Sequence, residues 1–140
     1  MIPKFRFFGK VADGAMRMVL AEAIDFTSRF VYYSYHDYTV EGDDNVYGDT
    51  ISFENCVLMQ STGLKDKNDK EIYEYDIVEW EHKDTGQLVR GIIKYDTELG
   101  FWGMTDARFN DLKAIGYLAN QQVTVLGNIY QNKELFEELK

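Results

Sequence analysis

From residue 56 onward, short apolar runs recur at close spacing: "CVLMQS", "DIVEWEH", "LVRGIIKYD", "GFWGM" and "VTVLGNIY", each bounded by turn residues. Runs this short, rich in β-branched and aromatic side chains, predict the strands of a small barrel or a sandwich. The N-terminal part carries the same signal less regularly. "KFRFF" alternates charge and ring and predicts a strand over Lys4–Phe8, with "GKVADGA" turning the chain through Gly9 and Gly14. Residues 15–26 fit two periods: Met16, Met18 and Leu20 alternate, whereas Val19, Ala23 and Phe26 share a helical face, and the strand reading is preferred. "RFVYYSYHDYTV" is β-rich by propensity, and "EGDDNVYGD" after it has the Gly, Asp and Asn density of a mobile loop.

The period changes again at the C-terminus. In "NKELFEELK", Leu135, Phe136 and Leu139 fall on one helical face, with Asn132 placed as N-cap and Glu134 in the first turn. A short helix is expected there, closing one end of the barrel, and "GYLANQ" reads as a short helical or irregular connector. The fold class is therefore mainly β with minor α. The change of pattern near Glu54–Cys56 divides it into a β-rich N-terminal part with an acidic loop, residues 1–55, and a small β-barrel with its terminal helix, residues 56–140.

Composition agrees with this reading. The 140 residues are 45% hydrophobic, enough for one core, and ten Tyr, nine Phe and two Trp against a single Pro suit a pleated, half-buried surface. The longest apolar runs are far below the roughly 20 residues that cross a bilayer, and "MIPKFRFFGK" lacks the apolar segment of a signal peptide, so no membrane association is expected. Cys56 is the only cysteine, which rules out an internal disulfide, argues against a zinc-thiolate site and points to the reducing cytoplasm. The net charge of −9 disfavours strong sequence-independent attraction to nucleic acid. Asp37, Glu41, Asp43, Asp44, Asp49 and Glu54 lie in a stretch without Lys or Arg, whereas residues 1–29 carry Lys4, Arg6, Lys10, Arg17 and Arg29. The two segments are suited to attract each other or a second copy of the protein, so self-association is one of the partnerships expected.

Candidate chemistry is sparse. In "KDKNDK", Asp66, Asn68 and Lys70 alternate like the start of a calcium loop, but Glu71 stands where the bend-permitting Gly belongs and Ile77 where the bidentate Glu belongs. The stretch reads instead as a structural turn through Asp66, Asn68 and Asp69, followed by Tyr75 and by Asp76, whose carboxylate is placed to accept backbone N–H groups at the start of a strand. His36 and His82 have no accompanying nucleophile motif, and Cys56 reads as a small buried hydrophobe. Asp43, Asp44 and Asp49 offer oxygen ligands for a cation, but a solvated acidic loop is the commoner use of such residues. The rings of Trp80, Tyr95, Phe101, Trp102 and Tyr130 are expected mostly in the core, and Trp80, Tyr95 and Trp102 are the candidates for stacking a peptide or a base. No catalytic set, metal site or cofactor site is expected.

"FRFF", "LMQSTGLKDKNDKEIYEYDIVEW", "GIIKYD" and "VTVLGNIYQNKEL", in this order and spacing, resemble the YopX family of small phage and prophage proteins. The resemblance covers most of the chain and is densest over Leu58–Trp80 and Val123–Leu135. It implies an SH3-like barrel in the C-terminal part and no established activity. It also implies Gly at two positions where this chain has Asp69 and Tyr75, both in turns where positive φ is easy for Gly and costly for other residues. The expectation is a non-enzymatic module of a phage or prophage that works through protein contacts, with a nucleic-acid-associated accessory protein as the alternative.

Overall fold

The computed structural model describes residues 2–36, 41–42, 45–82, 84–98, 100–106, 113–114 and 123–140. The chain is mainly β with a short C-terminal helix. It divides into two compact units: Lys4–Met59, and Gln60–Lys140 together with Met1–Pro3.

In the Lys4–Met59 unit, β1 (Phe5–Lys10) and β2 (Met16–Leu20) form an antiparallel hairpin in which Phe7 faces Val19 and Gly9 faces Arg17. β1 thus runs on through Gly9, where a turn was expected. A side chain at that position would meet Ile51 Cδ1 at 2.9 Å, Cys56 Cβ at 3.0 Å and the Asn55 carbonyl oxygen at 3.1 Å, so glycine serves close packing rather than chain reversal. Residues 16–20 and 23–25 are strands, β2 and β3 (Ala23–Asp25), which settles the ambiguous segment as β. β3, β4 (Phe30–His36) and β5 (Val46–Ser52) make a three-stranded antiparallel sheet, and one turn of 3-10 helix at Phe53–Asn55 follows.

β5 corrects the last part of the mobile loop expected over "EGDDNVYGD": Val46–Asp49 are strand, Glu41 and Gly42 are in a turn, and Asp43 and Asp44 lie outside the described residues. Its seven residues pair with the whole of β4, from Phe30 opposite Ser52 to His36 opposite Val46, and this ladder outweighs the poor strand propensity of Gly48 and Asp49. Phe7, Val11, Val31, Tyr33 and Ile51 are the buried core of the unit, with Val19, Ile24, Cys56 and Leu58 packed against them.

β6 (Cys56–Lys65) carries the chain into the second unit, where its later residues pair with β7 (Glu71–Tyr73). β8 (Asp76–Glu81), β9 (Leu88–Asp96), β10 (Phe101–Thr105), β11 (Lys113–Ala114) and β12 (Val123–Asn128) form a five-stranded half-barrel sheet in the order β11-β10-β9-β8-β12. Ile72, Val78, Ile93, Met104 and Val123 make its core. "GYLANQ" lies outside the described residues.

The helix α1 spans Lys133–Glu138. Asn132 occupies its N-cap position, but its side chain does not cap the helix. Asn132 Oδ1 instead accepts the backbone N–H of Asn128 at 3.0 Å, tying the helix start back to the end of β12.

Candidate functional site

The stretch around "KDKNDK" is held by hydrogen bonds both within the turn and to β12. Asp66, 1% exposed, accepts the backbone N–H groups of Asn68 and Lys70 on Oδ1, each at 2.8 Å, and that of Val125 on Oδ2 at 2.9 Å. Burial pushes its carboxyl up, but the three N–H donors outweigh burial and hold it below the ordinary aspartate value. The Lys67 N–H also donates to the Val123 carbonyl. Asp66 and Lys67 therefore occupy the β12 edge opposite β8. Asn68 and Asp69 complete the turn, Asp69 at φ 65°, and the exposed Lys65 lies 3.5 Å from the Asp69 carboxylate.

Asp76, also 1% exposed, accepts the Tyr73 N–H at 2.8 Å across the turn that leads into β8. Tyr75 between them stands at φ 67°, the left-handed region. Its backbone is held from two sides, since its N–H donates to the Ile93 carbonyl and its carbonyl accepts the Ile129 N–H. Its side chain is held as well. Lys94 Nζ donates to the Tyr75 hydroxyl at 2.7 Å, lies 4.5 Å from the ring centroid and reaches Glu74 Oε2 at 3.3 Å, while the ring of Tyr130 meets Tyr75 edge to face at 5.8 Å.

Burial lowers the Lys94 ammonium, but the Tyr75 hydroxyl and the Glu74 carboxylate reverse this and leave it raised. Burial, with Tyr75 and Glu74 beside it, pushes the Tyr130 phenol up. Strained backbone of this kind often marks a site. In this case each charged and aromatic group is turned inward onto another, which suits a strut that locks the turn.

The three aromatic candidates do not assemble into one site. Trp80 and Trp102 pack against the core of the second unit, and Tyr95, 38% exposed, lies edge to face on Trp102 at 5.1 Å. His82 organises its own turn, with Nδ1 accepting the N–H of Asp84 at 3.2 Å and of Thr85 at 3.4 Å, and His36 ends β4 on the surface. Cys56 is half-buried rather than buried, and burial pushes its thiol up. Asp37, Asp43 and Asp44 lie outside the described residues, among which no three His, Cys, Asp or Glu side chains form a metal-binding group.

The surface that sequence reasoning missed is the outer face of the β3-β4-β5 sheet. Antiparallel register sets Phe30 opposite Asp25 and Ser52, Tyr32 opposite Ala23 and Thr50, and His36 opposite Val46, so these side chains share one face, while Val31 and Tyr33 turn into the core. Phe30 is 40% exposed, Tyr32 44% and Val46 61%. At Gly48, on the same face, an added Cβ would meet only the Tyr33 carbonyl oxygen at 4.0 Å. A solvent-facing sheet surface is ordinarily polar and charged. Over the described strands this one carries rings, hydroxyls and small residues, with Asp25 as its carboxylate and no Lys or Arg. The signal in sequence was the alternation of rings in "RFVYYSY", which puts aromatic side chains on both faces of β4.

No curated protein matches the chain. The crystal structure of protein EF1440 from Enterococcus faecalis is similar over 97% of this chain and 99% of that one, with a TM-score of 0.56 and 25% sequence identity. The family model described as "YopX protein" matches residues 4–137, nearly the whole length. The chain belongs to the YopX family.

Proposed function

We propose that this YopX protein is a non-enzymatic interaction module, encoded by a phage or prophage, that acts in the cytoplasm of the bacterial host through protein contacts. The outer face of the β3-β4-β5 sheet carries this reading: exposed Phe30, Tyr32 and Val46 among hydroxyl side chains match the aromatic, weakly charged composition of interface cores. The second unit is read as its scaffold, an SH3-like barrel. The Asp66 carboxylate and the Lys67 N–H, both bonded to the β12 edge, support closure of the half-barrel by the turn after β6.

The test is a pull-down from lysogenic or infected cells with the full chain as bait, repeated with Tyr32→Ser and with the bound material assayed for protein and for nucleic acid. A protein lost from the Tyr32→Ser bait supports the reading. Nucleic acid retained by both baits promotes the accessory-protein alternative, and substrate turnover by the purified chain overturns the non-enzymatic assignment.

A further inference from the structure

β5 is an edge of the β3-β4-β5 sheet, and among the described residues it pairs with β4 alone. Opposed residues of an antiparallel pair alternate between those that exchange backbone hydrogen bonds and those whose N–H and C=O groups turn away from the partner. Two bonds assign the alternation here. Phe53 donates its N–H to the carbonyl of Arg29, one step beyond the Ser52–Phe30 pair, and the carbonyl of Tyr32, which lies opposite Thr50, accepts the Glu22 N–H on the β3 side. Val31, Tyr33 and Tyr35 are therefore the residues bonded to β5, through Ile51, Asp49 and Tyr47, and the backbone groups of Val46, Gly48 and Thr50 turn outward. The Thr50 N–H agrees, because its acceptor at 2.8 Å is Asp49 Oδ1, which stands where the carbonyl of a further strand would.

An unpaired strand edge is a template for another strand, and proteins ordinarily blunt it with short strands, charges or a covering segment. β3, β7 and β11 are edges of three, three and two residues, β2 carries Arg17, and β12 is covered by Asp66 and Lys67. β5 has seven residues in unbroken register, the first five exposed, with no Lys, Arg or Pro among them. Beside that edge, the outer face along β4 and β5 carries no Lys, Arg, Asp or Glu side chain.

We propose that β5 is a docking edge at which an extended segment of a partner protein adds as a fourth strand. Its backbone continues the ladder at Val46, Gly48 and Thr50, displacing the Asp49 carboxylate from the Thr50 N–H, and its alternate apolar side chains extend the outer face beside Val46 and over the open space at Gly48. This deepens the interaction-module reading and rests on it. A second copy of the chain fits less well: the antiparallel register that pairs all seven residues of β5 with themselves sets the two Asp49 carboxylates opposite each other, and each copy brings a net charge of −9.

Gly48 provides a test that spares the β4 ladder. Its N–H turns outward, its φ is not positive, and an added Cβ would meet only the Tyr33 carbonyl oxygen at 4.0 Å, so Gly48→Pro removes an edge donor and leaves the bonds to β4 in place. A random dodecapeptide display library is selected on the full-length protein, and enriched peptides are synthesised, labelled and titrated by fluorescence anisotropy. Enriched peptides should carry apolar residues at alternate positions and bind Gly48→Pro about tenfold more weakly than the parent, whereas Gly48→Ala, which keeps the N–H, stays within about twofold. Asp49→Ala uncovers the Thr50 N–H and should tighten binding. A scan of backbone N-methyl groups along the best peptide, titrated against the parent protein, should abolish binding at every second position, because alternate N–H groups of an added strand face β5. That scan decides the matter even where Gly48→Pro melts below the parent.

Peptides whose N-methyl scan shows no alternation, or that bind a folded Gly48→Pro as well as the parent, overturn the edge proposal and leave the protein-contact reading standing. Sedimentation showing a parent dimer that Gly48→Pro dissociates does the same, because a second copy then occupies the edge. A monomer that enriches no peptide also overturns the edge proposal, and the pull-down with Tyr32→Ser decides the protein-contact reading separately.

Discussion

The carboxylate of Asp66 reaches the backbone N–H of Val125, 59 positions downstream, at 2.9 Å, and through that bond the turn after β6 is fastened to the edge of β12. Its other oxygen holds the turn itself through Asn68 and Lys70. Asp66→Asn keeps the size but supplies one acceptor oxygen and one NH2 group, so whichever way the amide turns, a buried N–H faces a donor. The expected loss is about 1–3 kcal/mol in denaturant unfolding at pH 7. Lys65→Ala, Lys67→Ala and Lys70→Ala should each stay within about 0.5 kcal/mol of the parent. Equal stability of Asp66→Asn and parent would refute the fastening.

The same carboxylate sets a pH dependence. Its pKa is lowered in the folded protein, so its contribution is complete above the unfolded value of about 3.9 and is lost as pH falls through the lower folded value. The stability gap between the parent and Asp66→Asn should therefore be constant from pH 7 to pH 5 and close below about pH 4. Urea titrations across that range measure the gap. A gap that widens in acid has the wrong sign for this mechanism.

Asp76 is buried at the start of β8 and accepts the Tyr73 N–H. Asp76→Ala strands that donor away from water and is expected to cost about 1–3 kcal/mol. Because the residue lies in the second unit, the binding proposed for the β3-β4-β5 face should be undiminished in any Asp76→Ala protein that remains folded. Parental melting combined with lost binding would make Asp76 a contact residue instead of a turn anchor.

How much of this was legible in the sequence follows the range of each interaction. Val78, Ile93, Met104 and Val123 sit in runs whose local pattern already says strand, and with Ile72, whose strand β7 was read as part of the turn, they form the core of the second unit. Asp66 and Asp76 were recognisable as turn residues from their neighbours, but no local pattern reports a partner 59 residues away at Val125. β5 was hidden because Gly48 and Asp49 lower strand propensity while the β4 ladder, invisible in a one-dimensional reading, restores it. Asn132 shows the same effect on a smaller scale: its type suits an N-cap, yet the Asn128 N–H in the preceding turn takes its side-chain oxygen.

Gly91 is buried in β9, where an added Cβ would run into Met104 and approach the Thr105 carbonyl oxygen to 2.9 Å. Met104 can shift, but the strand backbone at Thr105 cannot do so cheaply. Gly91→Ala should therefore lower stability by about 1–3 kcal/mol, as overpacking does. A midpoint equal to the parent's would mean that β9 and β10 yield more easily than this spacing implies.

Cys56 packs against the core of the first unit, and burial pushes its thiol up, which keeps the reactive thiolate scarce at neutral pH. Its alkylation by iodoacetamide at pH 7.5 should be much slower in the folded protein than after unfolding in urea. Cys56→Ser should lower stability by only about 1 kcal/mol and leave partner binding unchanged. Rapid stoichiometric labelling of the folded protein would contradict the burial argument.

Tyr75 weighs strain against contacts. Its φ of 67° costs a non-glycine residue about 1–2 kcal/mol. Against that stand the hydroxyl bond from Lys94 at 2.7 Å, worth about 0.5–1.5 kcal/mol, and the edge-to-face pair with Tyr130 at 5.8 Å, worth about as much again. Tyr75→Gly relieves the strain but forfeits both contacts and the Lys94 ammonium 4.5 Å from the ring centroid, so it should be less stable than the parent by about 1 kcal/mol. Tyr75→Ala forfeits the contacts and keeps the strain, and should be less stable than Tyr75→Gly by about 1 kcal/mol, the reverse of the usual order of these residues in a strand or helix. Tyr75→Phe removes the hydroxyl alone and should lose only the Lys94 bond. Denaturant midpoints of the three variants decide the matter: if alanine is as good as glycine, the left-handed conformation is not what position 75 demands.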